Sequence, residues 1–410
     1  MSVVVQTPLA APAHDDALAR RNARILAVAQ ALAGANNTVV VATTAIIGAV
    51  IAPDKGLATL PITMMVIGMW AGTLPVGFLS RHFGRRFALQ SGSVFGVLSG
   101  LISCFAVLQG SFIVLLIGTF CGGLYAAAHQ SYRFAAADTA SDEFRPKAVS
   151  WVLAGGVFAG ILGSQLVIFT KDMWPPYLFA ATFIAQSLAA LMAAGVLAFV
   201  RIPKLSEDDT GEKGRSLLEI LKVPRFAVAV ICGVVAYATM NFMMTSAPLA
   251  MVDCGHSVTE ASLGIQWHVM AMYGPSFITG SLILRFGVVP VIATGVALLL
   301  GAAVVGLSGL TVGHFWLALI LLGVGWNFAF VGATTMVTAC HRPSERNKVQ
   351  AFNDFLVFGS MAFASLASGQ VLATLGWAFV NEVFFPVTLF AAAMLLWLTM
   401  RERAKPAEPA

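Results

Sequence analysis

The chain has 410 residues, of which 58% are hydrophobic and 10% charged, with a mean hydropathy of +0.85. This composition excludes water as the main solvent, and apolar stretches of about 20 residues, the length a helix needs to cross a bilayer, recur along the chain. The formal charge of +5 arises from basic residues spread over short joints rather than gathered in one patch, so nucleic-acid binding is not indicated.

Residues 1–23 read as a polar tail with Asp15 and Asp16. They lack the basic region, apolar core and small-residue cleavage site of a secretion signal, so the first span is expected to be retained. Twelve spans follow. The first, 24–52, carries Asn36 and Asn37; the second, 60–80, carries Trp70 and ends at a basic joint with Arg81, Arg85 and Arg86. The third covers 87–108. In the fourth, 112–135, Tyr125, His129 and Arg133 recur every fourth residue and share one helical face, with Asp138 just beyond. The fifth, 148–170, holds Gly155, Gly156, Gly160 and Gly163, and the sixth covers 177–200.

A polar linker, 201–225, divides the spans six and six. The seventh span, 226–250, carries Asn241, in a place similar to that of Asn37; the eighth, 260–284, carries Trp267, His268, Tyr273 and Pro275. The ninth is 288–310. The tenth, 315–338, sets Trp326 beside Asn327; the eleventh, 349–373, carries Asp354; the twelfth, 383–400, precedes a tail of 401–410. Strands are not expected, because period-two alternation is absent.

Orientation follows from the basic residues, which are retained on the cytoplasmic side. With both termini cytoplasmic, only Lys55 and Lys171 of the 24 Lys and Arg fall on the outer side. Cys104, Cys121 and Cys232 lie inside spans, with Cys340 and Cys254 on opposite sides, so no disulfide framework follows.

The halves repeat one another. At an offset of 203 residues, 64–84 aligns with 267–287 and preserves Val66/Val269, Met69/Met272, Gly77/Gly280, Leu79/Leu282, Phe83/Phe286 and Gly84/Gly287. At an offset of 201, Arg145 and Lys147 match Arg346 and Lys348.

The joint from Gly77 to Arg86 resembles the signature loop of the major facilitator superfamily, G-x-L-x-D-R-x-G-R-K, in Gly77, Leu79, Gly84, Arg85 and Arg86. The resemblance implies an all-α membrane protein with twelve helices in two six-helix pseudo-repeated bundles, 24–200 and 226–400. It also implies a secondary active transporter that alternates access around a central site. Arg81 stands at the family's acidic position, so its charge is expected to have exchanged sides with Asp354; Asp354 could equally be a protonatable coupling group. By the same resemblance Asp138 could accept a hydrogen bond from Arg85 or Arg86, and it could equally be a solvated acid at a helix end. The family's arginine in the fourth span, near Gly118, is missing, which weighs against proton coupling by that route. Ile161 replaces the proline of the antiporter motif, which favours uptake. The stretch 130–156, with Tyr132 to Asp138 and Phe144 to Ala148, resembles a bacterial uptake branch that includes riboflavin transporters.

Polar groups in apolar spans are costly unless they line a cavity or pair with each other. Substrate-binding candidates are therefore Asn37, Trp70, Tyr125, His129, Asn241, Trp267, His268, Tyr273, Trp326 and Asn327; coupling or gating candidates are Arg81, Arg85, Arg86, Arg133, Asp138 and Asp354. The aromatic groups suit a small planar solute, and they also suit helix packing. Uptake across a bacterial inner membrane is the first expectation, with symport as one mode; a proton-coupled drug or metabolite exporter is the alternative. Catalytic clusters, cofactor loops and metal-ligand sets are not seen, so no enzyme activity, cofactor or metal is expected. The expected partners are a small-molecule solute, membrane lipid and, where transport is coupled, protons; the expected state is a monomer.

Overall fold

The computed structural model describes residues 16–137, 140–141, 144–202, 215–342 and 345–404. The elements among these residues are all helices, joined by short turns and bends, with no strand among the described residues. In lipid every backbone N–H and C=O must find a partner within its own segment, and an α-helix achieves that along its whole length.

In the N-terminal half, α1 covers Asp16–Ile51, α2 Leu60–His82, α3 Arg85–Gln109, α4 Phe112–Gln130, α5 Tyr132–Ala137, α6 Arg145–Thr170 and α7 Ala180–Leu197. A five-residue helix, α8 (Leu217–Leu221), begins at a Ser216/Glu219 capping box. The C-terminal half comprises α9 Pro224–Asp253, α10 Val258–Tyr273, α11 Ser276–Phe286, α12 Val288–Ser308, α13 Val312–Thr338, α14 Arg346–Glu382 and α15 Phe384–Arg403.

Among the described residues ten helical stretches are long and apolar enough to cross a membrane, fewer than the twelve expected. The difference has two physical causes. The expected span 260–284 is divided into α10 and α11, of 16 and 11 residues, because Pro275 has no N–H to donate and Gly274 ends the first piece. The expected spans 349–373 and 383–400 fall in one helical stretch, Phe352–Arg403, interrupted at Gly376, where φ is +80°.

The two halves pack by the same rules. Helix α1 lies on α6 as α9 lies on α14, α2 on α4 as α10 on α13, α3 on α4 as α12 on α13, and α3 on α7 as α12 on α15. Between halves, α6 meets α10 and α2 meets α14. The repeat extends to backbone angles: Gly84 has φ 90° and ψ 155°, Gly287 φ 88° and ψ 160°, a left-handed region that glycine enters without a Cβ clash.

Helices α1 and α9 are the most enclosed of the long helices, which is why polar side chains such as Asn36, Asn37 and Asn241 can reside there without facing lipid. Close packing around them uses small residues. A Cβ at Gly155 would come within 2.2 Å of the Ala27 carbonyl oxygen on α1, and one at Gly156 within 2.9 Å of the Tyr273 ring on α10. The glycines of α6 thus let it contact α1 on one side and the other half on the next.

Outside the spans, each half ties the joint preceding its fifth long helix to a residue near its own start. Asp16 accepts bonds from the backbone N–H and hydroxyl of Ser141, both at 3.0 Å. Arg215 donates through Nε (2.9 Å) and a terminal nitrogen (2.8 Å) to the two carboxylate oxygens of Glu345, whose side chain is buried. The hydrogen bonds from Arg215, together with the backbone N–H of Arg342, hold the Glu345 carboxyl well below the usual range.

Candidate functional site

A central cavity lies between the halves, with about 810 Å³ of empty space counted to its mouth. Helices α1, α2, α4 and α6 form one wall and α9, α10 and α14 the other.

The walls differ in chemistry. The N-terminal wall contributes Gln30, Asn37 and Thr38 from α1 and His129 and Gln130 from α4. Gln30 Oε1, Asn37 Oδ1 and both ring nitrogens of His129 have no hydrogen-bond partner in the protein. The C-terminal wall contributes Tyr237 and Tyr273 with Met240, Met244, Met272 and Met361, while Met65 and Met69 face it from α2. Thioethers are polarizable and flexible, so they pack against aromatic surfaces of varied outline. Asn241 also lines the cavity, but its amide nitrogen is already committed to the Met361 carbonyl at 3.0 Å.

Of the substrate-binding candidates, Asn37, His129, Asn241 and Tyr273 reach the cavity. Trp326 stands one layer behind it, stacked on Phe330 with centroids 5.2 Å apart and edge-on to Tyr237 at 5.1 Å, so it sets the tilt of a lining ring. Tyr125 is fully buried, edge-on to His129 at 6.0 Å. The other four lie elsewhere. Trp70 is 43% exposed and leans on Phe355 of α14, and Trp267 is 39% exposed. A ring nitrogen of His268 is 2.8 Å from the Leu319 carbonyl, joining α10 to α13.

Asn327 braces the break between α10 and α11. It donates to the Met272 carbonyl and Ser276 hydroxyl, both at 2.7 Å, and accepts from the Thr279 hydroxyl at 2.6 Å. It satisfies groups that the break would otherwise leave unpaired.

The gating candidates are dispersed. The Arg133 guanidinium lies 4.8 Å from the Phe134 ring centroid, and its positive field reaches Tyr237, Tyr273 and Asp354 across the halves. Asp354 accepts a hydrogen bond from the Asn353 amide at 3.3 Å. Arg85 is partly buried and Arg86 exposed; the Arg81 side chain and Asp138 lie outside the described residues.

Sequence reasoning missed Gln30, Gln130, Tyr237 and the methionines. Two signals were present: Gln30 and Asn37 are seven residues apart on one face of α1, and Met240 and Met244 are four apart on α9.

Hydrogen bonds joining the halves cluster at the end of the bundle that carries Lys55 and Lys171. Gln165 on α6 donates to Gln266 on α10 at 2.9 Å; Thr59 and Thr63, at the start of α2, donate to Ser365 of α14 at 3.1 and 3.0 Å. No such bond joins the halves at the arginine-rich end among the described residues.

The sequence matches the family model of the Major Facilitator Superfamily over residues 26–339 and 230–410. It is 46% identical over 395 residues to the riboflavin transporter RfnT of Brucella anthropi, covering 96% of this chain and 98% of that protein. It is 28% identical to YddS of Bacillus subtilis, an uncharacterized MFS-type transporter, over 96% of this chain and 94% of that one. Among solved structures, a mutant of the nucleoside transporter NupG superposes with a TM-score of 0.70 at 13% identity, covering 92% of this chain and 99% of that one. A bacterial homologue of the human lysosomal transporter Spinster also gives 0.70, at 15% identity, over 97% and 100%. With its repeated halves, enclosed central cavity and full-length match, this chain belongs to the major facilitator superfamily of transporters, not to an enzyme family.

Proposed function

We propose that this protein takes up riboflavin, or a closely related flavin, across a bacterial inner membrane by alternating access. The observation that carries the reading is the central cavity with its two unlike walls. A flavin is a flat tricyclic ring with a dense hydrogen-bonding edge and a polyol chain, so tyrosine and methionine on one wall suit the ring, while amides and imidazole on the other suit its polar atoms. The 46% identity to RfnT supports the same substrate. Ile161 at the antiporter-proline position favours import.

In this reading the chain crosses the membrane twelve times, α10 with α11 forming one crossing and the segments on either side of Gly376 two. The arginine-rich end and both termini face the cytoplasm. The bonds at the Lys55 and Lys171 end then close the outer side, so the conformation faces inward. The six-helix halves rock around the cavity, with 201–225 as the linker between them. One chain supplies both walls of the cavity, and a monomer embedded in lipid is the working unit.

Thermal stability of the purified protein tests the substrate, because a ligand that binds only the folded state stabilises it by about 2.7 kcal/mol at a hundredfold excess over Kd. Riboflavin should raise Tm while unrelated aromatic drugs leave it unchanged. Broad stabilisation by drugs would favour export, and no stabilisation by any flavin would overturn the reading.

A further inference from the structure

We propose that the N-terminal half reads the hydrogen-bonding edge of the solute while the C-terminal half packs chiefly on its ring face, so that discrimination of the edge resides in Gln30, Asn37 and His129. The inference rests on the flavin reading above and assigns each wall its part.

The unpaired groups are segregated. Among the residues that line the cavity, the side-chain atoms buried without a hydrogen-bond partner belong to Gln30, Asn37 and His129, all in the N-terminal half. On the opposite wall the Asn241 amide nitrogen is already bonded to the Met361 carbonyl of its own half. A buried polar atom without a partner is costly, so these three side chains favour a solute that completes their bonding.

The atoms also have a defined polarity. Gln30 Oε1 and Asn37 Oδ1 are acceptors, and a neutral imidazole offers one donor and one acceptor. Together they complement an edge in which an N–H lies between two carbonyls: an amide oxygen accepts the N–H, and the His129 N–H donates to a carbonyl. The imide edge of a flavin has that pattern. Tyr237, Tyr273 and the methionines opposite contact the ring faces, which are alike in any flavin and carry little information about the edge.

The test uses riboflavin and its N3-methyl derivative, in which the imide N–H is replaced while the ring is kept, with Kd measured by flavin fluorescence. A site built to pair a solute N–H rejects an analogue lacking it strongly. The wild-type protein should bind riboflavin at least about tenfold more tightly than the methyl compound. Asn37→Leu and Gln30→Met keep side-chain volume and remove the acceptor; in at least one of them riboflavin should weaken about tenfold and the gap should close. Tyr273→Leu should weaken both compounds alike and preserve the gap.

A wild type that binds both flavins equally overturns the inference and leaves the flavin reading standing, as does a gap that persists in both amide variants. That first comparison needs no variant to fold. A wild type that binds no flavin overturns the reading and the inference together.

Discussion

Asn327 spends its whole side chain on the break between α10 and α11, bonding Met272, Ser276 and Thr279 at once. Asn327→Leu leaves those groups unpaired within the span and should cost roughly 1–3 kcal/mol. A lower Tm in detergent checks it, with flavin affinity reduced because Tyr273 lies beside the break. A melt equal to wild type would mean that the break is held by packing alone. The same residue marks where sequence stops being informative. A polar group in an apolar span has to be satisfied, and that rule singled out Asn37, His129, Asn241 and Tyr273 together with His268 and Asn327. Whether the partner is a solute or a neighbouring helix depends on which face the tertiary packing turns inward, and no local pattern encodes that. Methionine was overlooked for the opposite reason, since in a membrane span it is ordinary apolar material.

At the scale of elements, the joint before α14 is held by charge. Arg215 keeps Glu345 ionised, so the carboxyl titrates below its unfolded value of about 4.3. A carboxyl with a lowered folded value contributes stability above the unfolded value and loses it as pH falls through the folded one. The Tm difference between wild type and Glu345→Gln should therefore be full at pH 7 and shrink below about pH 4. A difference independent of pH between about 7 and about 3 would contradict an ionic clip. The legibility of elements follows similar lines. Gly84 and Gly287 were visible as a repeat because a left-handed backbone restricts the residue, and the structure gives both nearly the same angles. The division of 260–284 was signalled by Gly274 and Pro275, yet hydropathy alone made it one span. The interruption at Gly376 falls within the joint 374–382 that hydropathy placed between the eleventh and twelfth spans.

For the whole molecule, the decisive asymmetry is that polar bonds join the halves at one end only among the described residues. Gln165 with Gln266, and Thr59 and Thr63 with Ser365, close the end bearing Lys55 and Lys171. Gln165→Leu combined with Thr63→Val should shift the population toward the opposite opening, because interhelical hydrogen bonds in membranes contribute about 0.6 kcal/mol each on average. A cysteine placed at Val41 in the cavity wall should then react several-fold faster with an impermeant reagent added from that end. Unchanged labelling would assign closure to packing of α6 on α10 and α2 on α14 instead. The paired helices were foreshadowed by the 203-residue offset, whereas the conformation was not, since two states of one sequence differ only in how the halves meet.

The most direct measurement is entry of labelled riboflavin into liposomes that contain only the purified protein and are preloaded with unlabelled riboflavin. The account predicts time-dependent accumulation of chemically unchanged label, suppressed by external unlabelled riboflavin and strongly reduced in at least one of Asn37→Leu and Gln30→Met. Entry no faster than into protein-free liposomes, with the protein shown to be folded, would contradict it.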